Sequence, residues 1–91
     1  MTPVTHKATV QFWQRFYDLP EHVQQLARKN FALLVGDPRH PSLHFKRIRT
    51  RRGTLASAQV GIAYRALAVV EDDHYSWTWI DHHSVYDELI K

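Results

Sequence analysis

Apolar residues in the first half of the chain recur at the spacing of amphipathic helices. Residues 8–17 form one short pattern, for which Thr5 or Thr9 is a suitable N-cap. Pro20 ends this helix, because the residue before a proline avoids the helical region, and it is well placed to open the next one. A second pattern covers residues 20–35, with an apolar stripe of Val23, Leu26, Ala27, Phe31 and Leu34. The first half is therefore predicted to form a helical hairpin.

After residue 41 the pattern changes to short apolar runs separated by turn residues, which is typical of strands. The run over residues 62–70 is apolar on both faces except at Arg65, as expected for the middle of a sheet. In the last run Tyr75, Trp77 and Trp79 fall on one face by strict alternation. Four strands are predicted in all, at residues 42–49, 55–60, 62–70 and 75–80.

These elements predict an α+β fold with a four-stranded antiparallel sheet. The helical hairpin would cover one face of the sheet, and a short C-terminal helix would carry Tyr86, Leu89 and Ile90. We expect Trp77, Phe31 and Leu34 to be largely buried in this arrangement. The other face of the sheet would remain open, and it is where we expect function to lie.

The length and composition favour one soluble domain over residues 1–91. A chain of 91 residues has no material for a second core. There is no cysteine, which excludes disulfides and thiolate metal sites and is consistent with a cytoplasmic protein. No run approaches the length of a membrane span, so a membrane partner is not expected.

The charge is concentrated in the middle of the chain. Residues 39–65 contain seven lysines and arginines and no acid, whereas residues 66–91 contain six acids. A basic segment of this kind is typical of a polyanion-binding surface, most often for nucleic acid. The alternative is a strand edge and loop that the arginines merely keep soluble.

Arg65 is the polar residue that most needs an explanation, since it interrupts an apolar strand. An arginine does not lose its charge by deprotonation, so at this position it requires an acid, carbonyl groups or an anionic ligand. A structural ion pair with Asp81 or Asp87 would satisfy it. A bound phosphate would do so equally well.

Three runs of the sequence together resemble the RelE/ParE superfamily of toxins from bacterial type II toxin–antitoxin modules. They read LPEHVQQLARKNFALLVGDPRHPSLHFKRI, VGIAYRAL and WTWIDHHSVYDELI, and the resemblance covers roughly residues 8–91. It implies a RelE-like fold and a cognate antitoxin protein that wraps the toxin. It also implies one of two activities, namely cleavage of mRNA, usually on the ribosome, or inhibition of DNA gyrase.

The resemblance also implies roles for individual residues. Arg65 matches the catalytic arginine of the RNA-cleaving members, which would stabilise the phosphate. His82, His83 and Tyr86 lie where such toxins keep a group that acts as acid, base or stacking surface. The basic residues expected to contact RNA are Lys46, Arg47, Arg49 and Arg51.

No metal or other cofactor is expected, because cleavage through the RNA 2′-hydroxyl needs only a base, cations and a proton donor. The terminal residues also have structural interpretations. Adjacent His82 and His83 could bind a metal, but the sequence offers no third ligand at a suitable spacing. Alternatively, one of the two caps the last helix while the other faces solvent, and Tyr86 belongs to the core.

The chain departs from the family pattern at two positions. Gln59 stands where relatives often have arginine, and Asp81 stands where they often have glycine. A carboxylate beside the phosphate site would repel RNA, or pair with Arg65. A catalytically degenerate module that only binds antitoxin is therefore the third hypothesis, beside the endoribonuclease and the gyrase inhibitor.

Overall fold

The computed structural model describes residues 4–89, in which three α-helices pack against a mixed five-stranded sheet. The spatial order of the strands is β1-β5-β4-β3-β2. None of the helices within this range is long and apolar enough to cross a membrane. In chain order the elements are β1 (Thr5–Ala8), α1 (Val10–Tyr17), α2 (Glu21–Gly36), a 3-10 turn (Pro41–Leu43), β2 (Lys46–Thr50), β3 (Gly53–Val60), β4 (Tyr64–Glu71), β5 (His74–His82) and α3 (His83–Leu89).

The prediction of a four-stranded antiparallel sheet is wrong, because β1 precedes the helical hairpin and adds a fifth strand. It pairs in parallel with β5, from Thr5 opposite His74 to Ala8 opposite Trp77. The four residues of β1 are too few to show the alternation that predicts a strand. The strand is stabilised by its pairing with the backbone of β5. The other strands pair antiparallel, as predicted.

The two predicted helices cover one face of the sheet, which we call the helix face. Thr9 caps α1 by accepting a hydrogen bond from the Phe12 amide at 3.2 Å. Trp77 and Leu34 are both 5% exposed in the core on this face, as predicted. Phe31 was expected there as well, but it is 45% exposed. It lies on the edge of the stripe of α2, where its ring meets that of His6 rather than the core.

A β-bulge in β5 divides its tryptophans between the two faces of the sheet. Ala68 pairs with Trp77, but the preceding residue Leu67 pairs with Trp79, so one residue of β5 is left over. Trp77 therefore points to the helix face, while Trp79 packs with Leu67 and Tyr86 of α3 on the other side. We call this opposite side the cleft face, and α3 covers part of it. Ile90, which was expected on this helix, lies outside the described residues.

The turn between β3 and β4 is anchored beneath α2. Gly61 has a φ of +65°, and a Cβ at this position would lie 2.6 Å from Leu26 Cδ2. Any other residue would strain the backbone and displace the leucine. Ile62, which was predicted to begin a buried strand, is 93% exposed in this turn. The turn fixes where β4 starts and hence the position of Arg65.

His6 fastens the edge strand β1 to the aromatic residues of the helix face. Its Nδ1 accepts a hydrogen bond from Trp77 Nε1 at 3.1 Å, and its ring stacks on the same indole. Burial lowers the pKa of His6 below its usual value, because the charged form is poorly solvated there. A proton on Nδ1 would also remove the acceptor that Trp77 uses.

The stability of the protein is expected to fall on acidification because of His6. The unfolded chain takes up this proton near the usual pKa of about 6.5, before the folded protein does. The stabilisation that His6 contributes is therefore complete above about pH 6.5, and it is lost as the pH falls through the lowered pKa of His6 in the folded state. Urea unfolding between about pH 7.5 and pH 5 measures it. His6→Gln should flatten the pH dependence of the free energy of unfolding, whereas His22→Gln, at an exposed position, should leave this dependence unchanged. Equal slopes for all three proteins would contradict this assignment.

Candidate active site

A shallow cleft of about 360 Å³ opens on the cleft face, between α3 and the central strands. The sequence resemblance implies a site built from β4 and the C-terminus, and the lining of the cleft combines these two regions. The residues that line it are Lys46, Gln59, Ile62, Arg65, His83, Tyr86 and Asp87. They come from β2, β3, the β3–β4 turn, β4 and α3, which the antiparallel pairing brings together.

Arg65 lies at the centre of the cleft and is held by neutral groups. Its Nε and Nη2 atoms donate hydrogen bonds to Ser57 Oγ at 3.1 and 2.9 Å. A longer contact of 3.5 Å joins Nη2 to the His44 carbonyl oxygen. The guanidinium also lies 4.9 Å from the ring centroid of Tyr86, within cation–π range. These contacts fix the orientation of the guanidinium without neutralising its charge.

The structural ion pair proposed for Arg65 is not present. Neither Asp81 nor Asp87 forms an ion pair with this arginine. Asp81 instead binds Arg15 of α1, with 3.2 Å between Oδ2 and Nη1. Oδ2 of Asp87 lies 3.8 Å from Nδ1 of His83. The positive charge of Arg65 is therefore available to a bound anion.

Lys46 supplies a second cation to the cleft. It lies directly opposite Ser57 in the pairing of β2 with β3, and residues opposite each other in a sheet project from the same face. Ser57 in turn binds Arg65. The edge strand and the central strand thus present a lysine and an arginine to one anion-sized space.

Tyr86 is 3% exposed, and its hydroxyl group is buried in the cleft wall. The hydroxyl has no hydrogen-bond partner among the described residues. A buried, unpaired hydroxyl costs roughly 1–3 kcal/mol, so such groups are usually satisfied. Its ring packs with Leu67 and Trp79, as the core interpretation of Tyr86 predicts, and the residue also lines the cleft. The residue is thus placed for both roles.

The two histidines at the start of α3 have different surroundings. His82 Nδ1 accepts a hydrogen bond from the Ser84 amide at 3.2 Å and therefore caps the helix. His83 lines the cleft, and its side chain is half exposed. Their rings stack with centroids 4.5 Å apart. Within residues 4–89 no group of three or more His, Cys, Asp or Glu side chains is placed to hold a metal ion.

Solved structures of toxins share this fold across nearly the whole chain. A chain of the toxin–antitoxin complex RelBE2 from Mycobacterium tuberculosis is 25% identical and has a TM-score of 0.64, with 89% of this chain and 99% of that chain covered. A chain of the RelE–RelB complex from Pyrococcus horikoshii OT3 is 16% identical and has a TM-score of 0.66, with 90% of this chain and 96% of that chain covered. YafQ from E. coli strain BL21(DE3) is 9% identical and has a TM-score of 0.71, with 92% of this chain and 98% of that chain covered. The chain belongs to the RelE-like toxin superfamily.

Searches with protein-family models and among curated proteins found no match to the sequence. Membership of the RelE-like superfamily is therefore visible in the fold and in the three runs noted above. It agrees with the resemblance from which the site residues were chosen.

The predicted RNA-binding residues of this RelE-like chain do not share one face. Lys46 lies on the cleft face, whereas Arg47 lies opposite Ala56, a residue of the helix-face core. There Arg47 donates a hydrogen bond to the Tyr75 hydroxyl at 2.7 Å. Arg49 projects from the same face as Arg47, and Arg51 lies in the exposed turn between β2 and β3. Alternation along the strand separates neighbours that the sequence suggested as one patch.

Two residues of the RelE-like site were not predicted from the sequence. Ser57 is fully buried and provides the acceptor that orients Arg65. Arg15 is far away along the chain, yet it binds the one acid that lies opposite Arg65 in the sheet. The strand register and the packing of α1 reveal their contribution.

Proposed function

We propose that this protein is the toxin of a type II toxin–antitoxin module and a metal-independent endoribonuclease that cleaves mRNA on the ribosome. The proposal is supported by membership of the RelE-like superfamily and by the chemistry of the cleft. It places the protein in the cytoplasm, where both ribosomes and mRNA are found. A gyrase inhibitor would not require the cleft residues to surround a phosphate.

The observation that carries this proposal is the state of Arg65. A partly buried arginine normally pairs with an acid, yet this one is bound by a serine hydroxyl and an aromatic ring. Lys46 lines the same cleft. Two cations in one cleft can bind a phosphate from two sides, as the transition state of RNA cleavage requires.

The proposed reaction uses the 2′-hydroxyl of the RNA as the nucleophile. His83, with an exposed imidazole, accepts the proton of this hydroxyl as its oxygen bonds to phosphorus. Arg65 and Lys46 stabilise the negative charge that builds up on the phosphorane. The bond from phosphorus to the 5′-oxygen then breaks, and the leaving oxygen takes the hydroxyl proton of Tyr86. The proton held by His83 then returns to Tyr86 through solvent. The products are a 2′,3′-cyclic phosphate and a 5′-hydroxyl end.

His82 is proposed to act on this site through position rather than by contact. It caps α3 and stacks on His83, and it does not line the cleft. Its role is to fix the first turn of the helix that carries His83 and Tyr86.

A cognate antitoxin is the proposed protein partner. The complexes from Mycobacterium tuberculosis and Pyrococcus horikoshii are complexes of a toxin with its antitoxin, and both chains compared here align over nearly their full length. The antitoxin is expected to be acidic where it crosses the basic β2 strand. There it would compete with RNA for Lys46, Arg47, Arg49 and Arg51.

Lys46 is expected to contribute to both binding and catalysis, whereas Arg51 contributes to binding alone. Lys46 lines the cleft, while Arg51 lies in the turn beyond the end of β2. Each alanine variant should weaken RNA binding and lower the salt slope by about one unit at most. Only Lys46→Ala should also reduce kcat.

The matched control for this prediction is Lys29→Ala, which removes an exposed lysine from α2. It should change neither the salt slope nor kcat. Binding is measured by titrating a non-cleavable RNA at several salt concentrations. The proposed role of Lys46 is contradicted if Lys46→Ala and Lys29→Ala have the same salt slope and the same kcat.

A further inference from the structure

An ion pair at the edge of the sheet holds Asp81, the acid that lies opposite Arg65 in the strand pairing. Arg15 reaches from α1 to β5, where its Nη1 lies 3.2 Å from Asp81 Oδ2. Its guanidinium lies 5.7 Å from the centroid of the Trp79 ring. Since β1 pairs with β5 only as far as Trp77, the edge beyond that residue is free to receive this side chain.

Asp81 and Arg65 lie directly opposite each other in the pairing of β4 with β5. Opposite residues in an antiparallel pair have Cβ atoms about 4.5–5.5 Å apart and project from the same face. An aspartate and an arginine in this relation are ordinarily expected to form an ion pair. Here Asp81 is turned to Arg15 and to the His82 amide, which donates to Oδ1 at 2.7 Å.

We propose that Arg15 is a positioning residue, which keeps Asp81 away from Arg65 and so leaves the Arg65 guanidinium free to bind phosphate. This inference rests on the proposed function and refines it. Without Arg15, Asp81 would carry an uncompensated negative charge and would be within reach of Arg65. The acid would then compete with the phosphate for the arginine and repel it at the same time.

Two neighbouring opposite charges remain apart in this arrangement. Ser57 holds Arg65 on one side, and Arg15 holds Asp81 on the other.

Removing Arg15 is expected to affect the site more than the fold. The Arg15 and Asp81 side chains are 47% and 34% exposed, and ion pairs of this exposure contribute little to stability. Arg15→Met keeps an unbranched chain to pack on Trp79 while it removes the charge. This variant should therefore fold like the original protein, which its thermal unfolding checks.

The test compares the original protein with Arg15→Met, Asp81→Asn and the double variant. Two quantities are measured, namely the affinity for a short 2′-O-methyl RNA, which lacks the nucleophile, and the rate of cleavage of the unmodified RNA bound to purified ribosomes. Arg15→Met should weaken binding and slow cleavage about tenfold or more, the scale of one lost charge contact. Asp81→Asn alone should have little effect, because Asp81 is already neutralised, and in the double variant it should restore both quantities.

A matched control distinguishes this rescue from a general effect of removing an acid. Asp72→Asn removes an exposed acid at the far end of β5, and asparagine tolerates its φ of 54°. Combined with Arg15→Met, it should not restore binding. Arg15→Gln replaces Arg15→Met if the methionine variant fails to fold, and the same rescue by Asp81→Asn is then required.

The outcomes also distinguish this inference from the proposed function. If the RNA is bound with the predicted rescue but no protein cleaves it, the role of Arg15 stands and the nuclease proposal fails. If the original protein cleaves RNA and Arg15→Met is unchanged, or the double variant is no better than Arg15→Met, the role of Arg15 is overturned.

Discussion

Replacing Arg65 by alanine is expected to abolish detectable RNA cleavage while the protein remains folded. The guanidinium is preorganised by Ser57 and Tyr86, so it can meet the charge that develops on the phosphate. Loss of one such donor typically lowers kcat by about 10²–10³-fold. The fold should persist, because neither Asp81 nor Asp87 is paired with Arg65. Single-turnover cleavage and thermal unfolding of the same preparation measure the two effects.

Arg65→Lys is the control that distinguishes geometry from charge. A lysine restores the positive charge, but it cannot form the two hydrogen bonds to Ser57 and a planar contact to phosphate at once. It should therefore recover only a small part of the rate. If Arg65→Ala is folded and cleaves RNA at the original rate, the active site does not lie on β4.

Removing the hydroxyl of Tyr86 is expected to lower activity without lowering stability. In the folded protein this buried hydroxyl has no partner among the described residues, so Tyr86→Phe removes a polar group whose burial is unfavourable. The free energy of unfolding should stay unchanged or rise by no more than about 1–2 kcal/mol. If the hydroxyl donates to the leaving oxygen, cleavage should slow about 10²-fold.

Tyr17→Phe is the matched control, since Tyr17 is exposed on α1, away from the cleft. It should alter neither rate nor stability. Cleavage rates and urea unfolding of both variants provide the comparison. A Tyr86→Phe protein that is clearly destabilised and still fully active would make Tyr86 a purely structural residue.

The helices and the central strands could be predicted from the sequence because their signals are local. Thr9, the apolar stripe of α2 and the run around Arg65 each depend on neighbours a few residues away. The placement of Arg65 in a cleft on the open face of the sheet followed from the same patterns. The family resemblance then supplied His83, Tyr86 and Lys46, and the fold brings all three to the same cleft.

What could not be predicted depends on long-range register. The four residues of β1 show no strand pattern and pair with a segment about 70 residues later. The bulge in β5 moves Trp79 to the cleft face. Strict alternation of side chains would have kept it on the same face as Trp77. Arg47 was placed with Lys46 because both are basic, but pairing with β3 puts it on the helix face. The contacts of Ser57 and Arg15 likewise exist only after the sheet has formed.

The measurement that tests the central claim most directly is the fate of a short mRNA bound to purified ribosomes. The protein should cleave it and leave a 5′-hydroxyl and a 2′,3′-cyclic phosphate, while a copy with one 2′-deoxy nucleotide at the cleavage site stays intact. DNA gyrase assayed in parallel should keep its supercoiling activity. An mRNA that remains intact while gyrase is inhibited would contradict the account, and so would equal cleavage of the 2′-deoxy copy.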